Sequence, residues 1–243
     1  MQGDVTRNAI RRGRLLISQP RHGYRFNVDS VILAGFACPP EPRVCDLGTG
    51  TGILGLWLAL EGAEHVVGLE LQPELAELAR ANAEDNDLAD RFEVVRDDLR
   101  LFGSGSRSAS FNQVVSNPPF APFGKGRVDS NRQRALAKHE IAMELDDLMA
   151  AAARLLMTGG RLDLIHRADR EGELLESAEK HGLSPVRLRR VVPHPRRPPA
   201  RILLRAVLED PAMADAPVVE PDLVVHDSDG GYAEEVARLL DGP

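Results

Sequence analysis

Sulfur is scarce in this chain: Cys38 and Cys45 are its two cysteines in 243 residues. Two thiols at that spacing make neither a disulfide framework nor a metal-ligand set, so both read as reduced, packed side chains and no metal is expected. A run of about 18 to 20 uninterrupted apolar residues, the length needed to span a bilayer, is missing as well. The first twenty residues, MQGDVTRNAIRRGRLLISQP, carry arginines but no continuous apolar stretch of the kind a secretory signal requires. A cytoplasmic protein with no membrane partner is expected. No internal repeat interrupts the chain. With 43% hydrophobic residues it can bury a full core. One domain is therefore expected over 1–243, with a basic N-terminal segment (1–40), a core (41–208) and a C-terminal extension (209–243).

Positive charge is in deficit overall, with a net charge of −7, yet it is concentrated. Arg187, Arg189, Arg190, Arg196, Arg197, Arg201 and Arg205 lie close together with His194 and no intervening acid. Arg7, Arg11, Arg12, Arg14, Arg21 and Arg25 crowd the N-terminal segment against Asp4 alone. If both segments share one side of the fold, they make a basic face suited to phosphate contact. The alternative is that they only solubilise loops and edges.

The hydrophobic pattern alternates between short runs and helical stripes. RVCDLG (43–48), HVVGLEL (65–71), FEVV (92–95), FNQVVS (111–116) and RLDLIH (161–166) read as strands covered on both faces. ILGLWLAL and PELAELARANAED read as helices, the second opened by Pro73. ELDDLMAAAARLL puts Leu145, Leu148, Met149, Ala152, Leu155 and Leu156 on one stripe and is expected to stop at Gly159-Gly160. Such alternation predicts an α/β fold with a mostly parallel sheet. LSPVRLRRVV and ARILLRAVL, separated by the proline-rich PHPRRPP, predict an antiparallel edge pair.

The first strand runs into CDLGTGTGILG. Gly50, Gly52 and Gly55 satisfy a G-x-G-x-x-G dinucleotide fingerprint, and Glu70 follows at the distance expected of a ribose-binding acid. Asp46 separates the readings. A carboxylate at the strand end suits an ammonium-bearing ligand and would repel a pyrophosphate over the same turn.

The fourth run ends in Asn117-Pro118-Pro119-Phe120. Proline lacks an N–H and restricts the residue before it, so this exit is extended and stiff. It lies at the carboxyl edge of the sheet, where ligands of such folds bind. Asn117 offers a side-chain oxygen, Pro118 a carbonyl and Phe120 a ring. Two acceptors suit an NH₂ group, and a ring suits the flat body that bears it.

Asp46 with Gly48, Gly50 and Gly52 resembles motif I of the class I S-adenosylmethionine-dependent methyltransferases. Asn117 to Phe120 match their amino-methyltransferase motif [DNS]-P-P-[FYW]. The resemblance implies a Rossmann-like, seven-stranded sheet with helices on both faces, and S-adenosylmethionine as cofactor. It implies that Glu70 bonds the ribose and Asp98 the adenine amine, with Leu71 and Leu99 beside them and Asn117 facing the reacting centre. Asp29 would help close the pocket; it reads equally as the N-cap of the VILAGFA helix.

In the order of its features the chain is similar to the bacterial tRNA1(Val) adenine-N6-methyltransferase family. Stretches such as GYRFNVDSVILAGF, SNPPF and LVVHDSDGGYAEEVARLL carry that similarity. It implies N6-methylation of adenine in a tRNA near the anticodon. Arg11, Arg12, Arg14, Lys138, His139, Arg190, Arg196 and Arg197 are the expected RNA contacts. GKGRVDSNRQRALAKHE reads as a substrate-side lid or as a plain connector, and His139 as structural or RNA-contacting rather than as a base. Three alternatives remain: a protein glutamine methyltransferase, a guanine-N2 rRNA methyltransferase, and a cofactor-binding RNA module without turnover. The first usually carries an N-terminal helical domain and the second a duplicated one, whereas about 40 residues precede the glycine turn here.

Overall fold

The computed structural model describes residues 5–22, 25–105, 107–118, 145–208 and 216–242. An antiparallel hairpin, β1 (Val5–Ile10) and β2 (Leu15–Pro20), leads into α1 (Val28–Ala37). Then come β3 (Arg43–Leu47), α2 (Ile53–Leu60), β4 (His65–Glu70), α3 (Pro73–Asp85), β5 (Phe92–Arg96) and β6 (Phe111–Ser116). Beyond them lie α4 (Leu145–Leu155), β7 (Leu156–Arg167), α5 (Glu171–Lys180), β8 (Leu183–Val192) and β9 (Arg201–Leu208). The extension adds two-residue strands β10 (Val218–Val219) and β11 (Leu223–Val224), then α6 (Glu234–Asp241). No helix among the described residues is long and apolar enough to cross a membrane.

The sheet runs β10-β8-β9-β7-β6-β3-β4-β5, with β11 also on β8. Every pairing in it is parallel except those of β9. The expected seven strands are β3 to β9. The reversed strand, β9, lies inside the sheet between β7 and β8, and β10 and β11 cover the outer side of β8. Side chains alternate between two cores: Val44, Val66, Val115 and Leu203 join α1, α2 and α3, whereas Cys45, Val67, Val114 and Leu204 join α4 and α5. Burial pushes the Cys45 thiol up, and that of Cys38 to about 11, so both stay neutral packing groups.

One boundary differs from expectation. α4 ends at Leu155, and Leu156 already pairs with Phe111 as the first residue of β7. Gly159 and Gly160 therefore lie inside a strand. A Cβ on Gly160 would meet backbone oxygens of Met157 and Asn112 at 2.8 and 3.1 Å, so this glycine serves a close backbone approach rather than a helix cap.

The hairpin is docked by two asparagines one helical turn apart, Asn82 on α3 and Asn86 at its C-cap. Asn82 accepts from the Ser18 N–H (2.8 Å) and donates to the carbonyls of Ser18 and Thr51 (both 2.9 Å). Asn86 accepts from the Leu16 N–H (2.7 Å) and donates to its carbonyl (2.8 Å). The side-chain amides thus stand where a third strand would.

α1 is buried almost all round and has few polar groups to orient it. Its last carbonyls provide the fix. Asp163 on β7, fully buried, accepts from Arg205 Nε (2.6 Å), Gln113 Nε2 (2.7 Å) and Arg161 Nε (3.2 Å). Those three donors in turn bind α1: Gln113 and Arg161 reach the Ala37 carbonyl and Arg205 the Phe36 carbonyl, at 2.8 to 3.1 Å. The helix C-terminus is therefore capped by cations, as its dipole favours. Replacing Asp163 with Ala leaves two guanidinium groups without their shared anion and should cost about 3–5 kcal/mol in urea unfolding.

Candidate active site

The turn after β3 is built for glycine. Gly48, Gly50 and Gly52 have φ of 74°, 60° and 88°, a region that side chains disfavour. The bend hangs from β4, since the N–H groups of Gly48 and Thr49 both donate to the Leu69 carbonyl at 2.9 Å. Gly55 serves packing. A Cβ there would lie 2.3 Å from the Phe92 ring, and one on Gly68 would lie 2.7 Å from it. The third glycine of the fingerprint thus seats α2 against the sheet.

Asp46 is fully buried under this bend. Its Oδ2 accepts from Thr49 Oγ1 (2.6 Å) and from the Gly55 N–H (3.1 Å) in the first turn of α2. A phosphate bound at the helix N-terminus would need those N–H groups. One of them is already held by a carboxylate, which decides against the pyrophosphate reading. Oδ1 is buried with no hydrogen-bond partner among the described residues. An orphaned, solvent-shielded carboxylate oxygen fits a cationic ligand group, as S-adenosylmethionine would supply.

Glu70 reinforces the bend from β4. It is buried, and its oxygens accept from the N–H groups of Gly50 and Gln72, each at 2.9 Å. Burial raises its carboxyl above the ordinary value despite these bonds. Leu71, next to it, is 41% exposed, an apolar surface beside the bend. Leu99 instead packs partly buried against the second core. Asp98 follows β5 and is held by Arg100, whose Nε lies 3.0 and 3.1 Å from its two oxygens, and whose hydrogen bond keeps the carboxyl below its ordinary value. This pair is open to solvent on the Arg100 side, so an amine could displace the guanidinium at small cost.

Asn117 and Pro118 stand at the end of β6, half-buried and buried. Asn117 Nδ2 donates to Ser30 Oγ at 2.9 Å, a contact between residues 87 apart in sequence. Among the described residues its carbonyl oxygen receives no donor. Ser30 is buried in the first turn of α1, and nothing in the sequence marks it. Asp29 is not the N-cap. Asn27 takes that place, accepting from the Asp29 N–H at 3.1 Å. The Asp29 carboxylate binds Arg201 Nε at 3.0 Å and so ties the start of α1 to β9. Thr49 and Arg201 are further site residues that the motifs did not single out. Phe120, Lys138, His139 and the expected lid lie outside the described residues.

The arginines at the hairpin turn, Arg11, Arg12 and Arg14, do not face the acceptor corner. Arg11 is buried, stacked 4.5 Å from the Trp57 ring centroid and paired with Glu61 at 2.8 Å, and its N–H donates to the Leu240 carbonyl. Trp57 and Glu61 mark the far end of α2, so Arg11 and the exposed Arg12 and Arg14 sit at the amino edge of the sheet, away from the glycine bend. Arg190 is engaged by Glu171. Arg187, Arg189, Arg201 and Arg205 are paired with Glu220, Glu235, Asp29 and Asp163. Arg196 and Arg197, both exposed, have no ion-pair partner among the described residues.

Residues 29–178 match the family model described as methyltransferase small domain. A Porphyromonas gingivalis protein named tRNA1(Val) (adenine(37)-N6)-methyltransferase is 35% identical over 94% of this chain and 91% of its own. A Tolumonas auensis protein of the same name is 30% identical over 93% of this chain and 92% of its own. Among solved structures, an Agrobacterium tumefaciens protein named a predicted O-methyltransferase superposes with a TM-score of 0.69. It is 24% identical, covering 88% of this chain and 95% of that one, and shares the fold.

Burial pushes the Asp46 carboxyl up to about 7, against the hydrogen bonds from Thr49 and Gly55 and with a smaller push from Glu70. The folded, ligand-free chain therefore holds this proton more tightly than the unfolded chain. The resulting stability is full below the ordinary value of 3.8 and lost as pH rises through about 7. A cationic ligand needs the ionised form, so its affinity runs the other way. Calorimetric titration with S-adenosylmethionine should show binding that tightens, with proton release, as pH climbs through about 7. Asp46→Asn should bind weakly and without that pH dependence.

Proposed function

As a chain that belongs to the methyltransferase small domain family and is an S-adenosylmethionine-dependent methyltransferase, we propose, it methylates the exocyclic amine of an RNA base, namely adenine N6 in a tRNA near the anticodon. The observation that carries this reading is the Asn117 corner: an amide whose nitrogen is committed to Ser30 and whose oxygen is left for an N–H donor. The full-length similarity to proteins named for adenine methylation in tRNA supports the choice of base and RNA.

When bound, S-adenosylmethionine supplies an electrophilic methyl group on its sulfonium. The chain's part is to hold and orient. Asp46 and the glycine bend receive the charged end of the cofactor, and Glu70 accepts from its ribose hydroxyls. Asn117 Oδ1 and the Pro118 carbonyl accept the two N–H bonds of the acceptor amine. An exocyclic amine is a weak nucleophile because its lone pair is delocalised into the base, and its N–H is too weak an acid for prior deprotonation. Two acceptors favour a pyramidal nitrogen and stabilise the positive charge that grows on it, so alignment and electrostatics supply the acceleration. The surplus proton leaves to water afterwards.

Asn117→Ala should lower kcat by about 10²–10³-fold while leaving cofactor affinity nearly intact. Mass spectrometry of nucleosides from treated tRNA should show N6-methyladenosine with the parent chain and only a trace with this variant at the same enzyme concentration and time. Equal loss of cofactor binding and turnover would remove the assigned role, and methyl on another base would move the acceptor. Ser30 acts through Asn117 as a positioning residue. Ser30→Ala should lower kcat by roughly tenfold, with KM for the cofactor and the melting temperature close to those of the parent.

A further inference from the structure

The C-terminal extension builds a stack of rings that the reaction does not use. β11 pairs with the end of β8, and the chain continues along the next loop, with the His226 N–H donating to the Pro193 carbonyl at 3.0 Å. A tight turn follows. Asp227 Oδ1 accepts from the N–H groups of Asp229 (2.9 Å) and Gly231 (3.0 Å), and the turn returns Tyr232 opposite His226. The Tyr232 ring lies 5.0 Å from that of His226 at 21°, and His226 lies 5.3 Å from His194 at 31°. Tyr232 closes the ladder and is 45% exposed.

Charge marks the other end. His194 opens a turn closed by the Arg197 N–H on its carbonyl at 2.9 Å, and this turn carries Arg196 and Arg197. The other five arginines between 187 and 205 are each paired with a carboxylate. These two are exposed and without an ion-pair partner among the described residues. Asp227 and Asp229 beside Tyr232 bias a phosphate toward the arginine end.

The position is equally specific. β8 points the same way as β3 and β6, so the turn after it lies at the carboxyl edge with the glycine bend and Asn117. Three strand steps separate β8 from β6, about 15 Å, which exceeds the span of one stacked nucleotide.

We propose that the His194–His226–Tyr232 stack, with Arg196 and Arg197, is a second RNA site that stacks an unpaired base outside the reacting nucleotide and anchors its phosphates. This rests on the RNA reading above. Aromatic faces bind any base, so the site selects single-stranded segments over duplex.

The test is fluorescence titration of the full chain with a single-stranded RNA oligonucleotide containing 2-aminopurine, whose emission falls on stacking. The parent and Tyr232→Phe should quench it. Tyr232→Ala should lose the quenching and bind about tenfold more weakly. Arg196→Ala combined with Arg197→Ala should reduce the slope of log affinity against log salt by about 1.4. Parent-like quenching and affinity in Tyr232→Ala, with tRNA still methylated by the parent chain, overturns this inference alone. Failure of the parent to bind the oligonucleotide while it still methylates tRNA likewise overturns this inference alone, whereas failure to methylate tRNA overturns the RNA reading and this inference together.

Discussion

Asp163 takes hydrogen bonds from three strands at once: Gln113 on β6, Arg161 on its own β7 and Arg205 on β9. A buried carboxylate is costly unless its surroundings are complete, and here completeness demands one register across β6, β7 and β9. The same donors cap α1 through the carbonyls of Phe36 and Ala37. α1 is ten residues long, so anchoring its C-terminal end at the amino edge sets where its first turn arrives at the carboxyl edge. That first turn brings Ser30 to Asn117 and Asp29 to Arg201. The accuracy of the acceptor corner is inherited from a network at the opposite end of the helix.

The glycine bend shows how one carboxylate chooses a ligand class. Asp46 caps the first turn of α2 from within, so the helix N-terminus has already met its anion. What remains is an orphaned oxygen with negative character in a buried site. A Rossmann-like fold normally offers that position to phosphate. Here the electrostatic sign is reversed by a single residue, and Glu70 beneath Gly50 deepens the reversal.

The core strands and their mostly parallel arrangement were legible because buried parallel strands write short apolar runs bounded by glycine and proline. The bend was legible because Asp46 and the glycines are local in sequence. The end of α4 was misread: Gly159-Gly160 looks like a helix stop, but pairing of Leu156 with Phe111 takes precedence over the helical stripe. The arginine clusters misled for a different reason. Their partners, Glu171, Glu220, Glu235, Asp29 and Asp163, are distant in the chain, and charge density along a sequence reveals nothing of pairing across a fold. Ser30 left no trace because its meaning depends on a residue 87 positions away.

Asn82 and Asn86 mimic a strand because an amide both donates and accepts. An aspartate has the same shape and only half that capacity. Asn82→Asp or Asn86→Asp would therefore strand the carbonyls of Ser18 or Leu16 and set a negative charge against them. At Asn82 the damage would extend to the Thr51 carbonyl, within the bend itself. The docking of the hairpin and the cofactor turn thus share one amide, and a change of charge at that position would reach both.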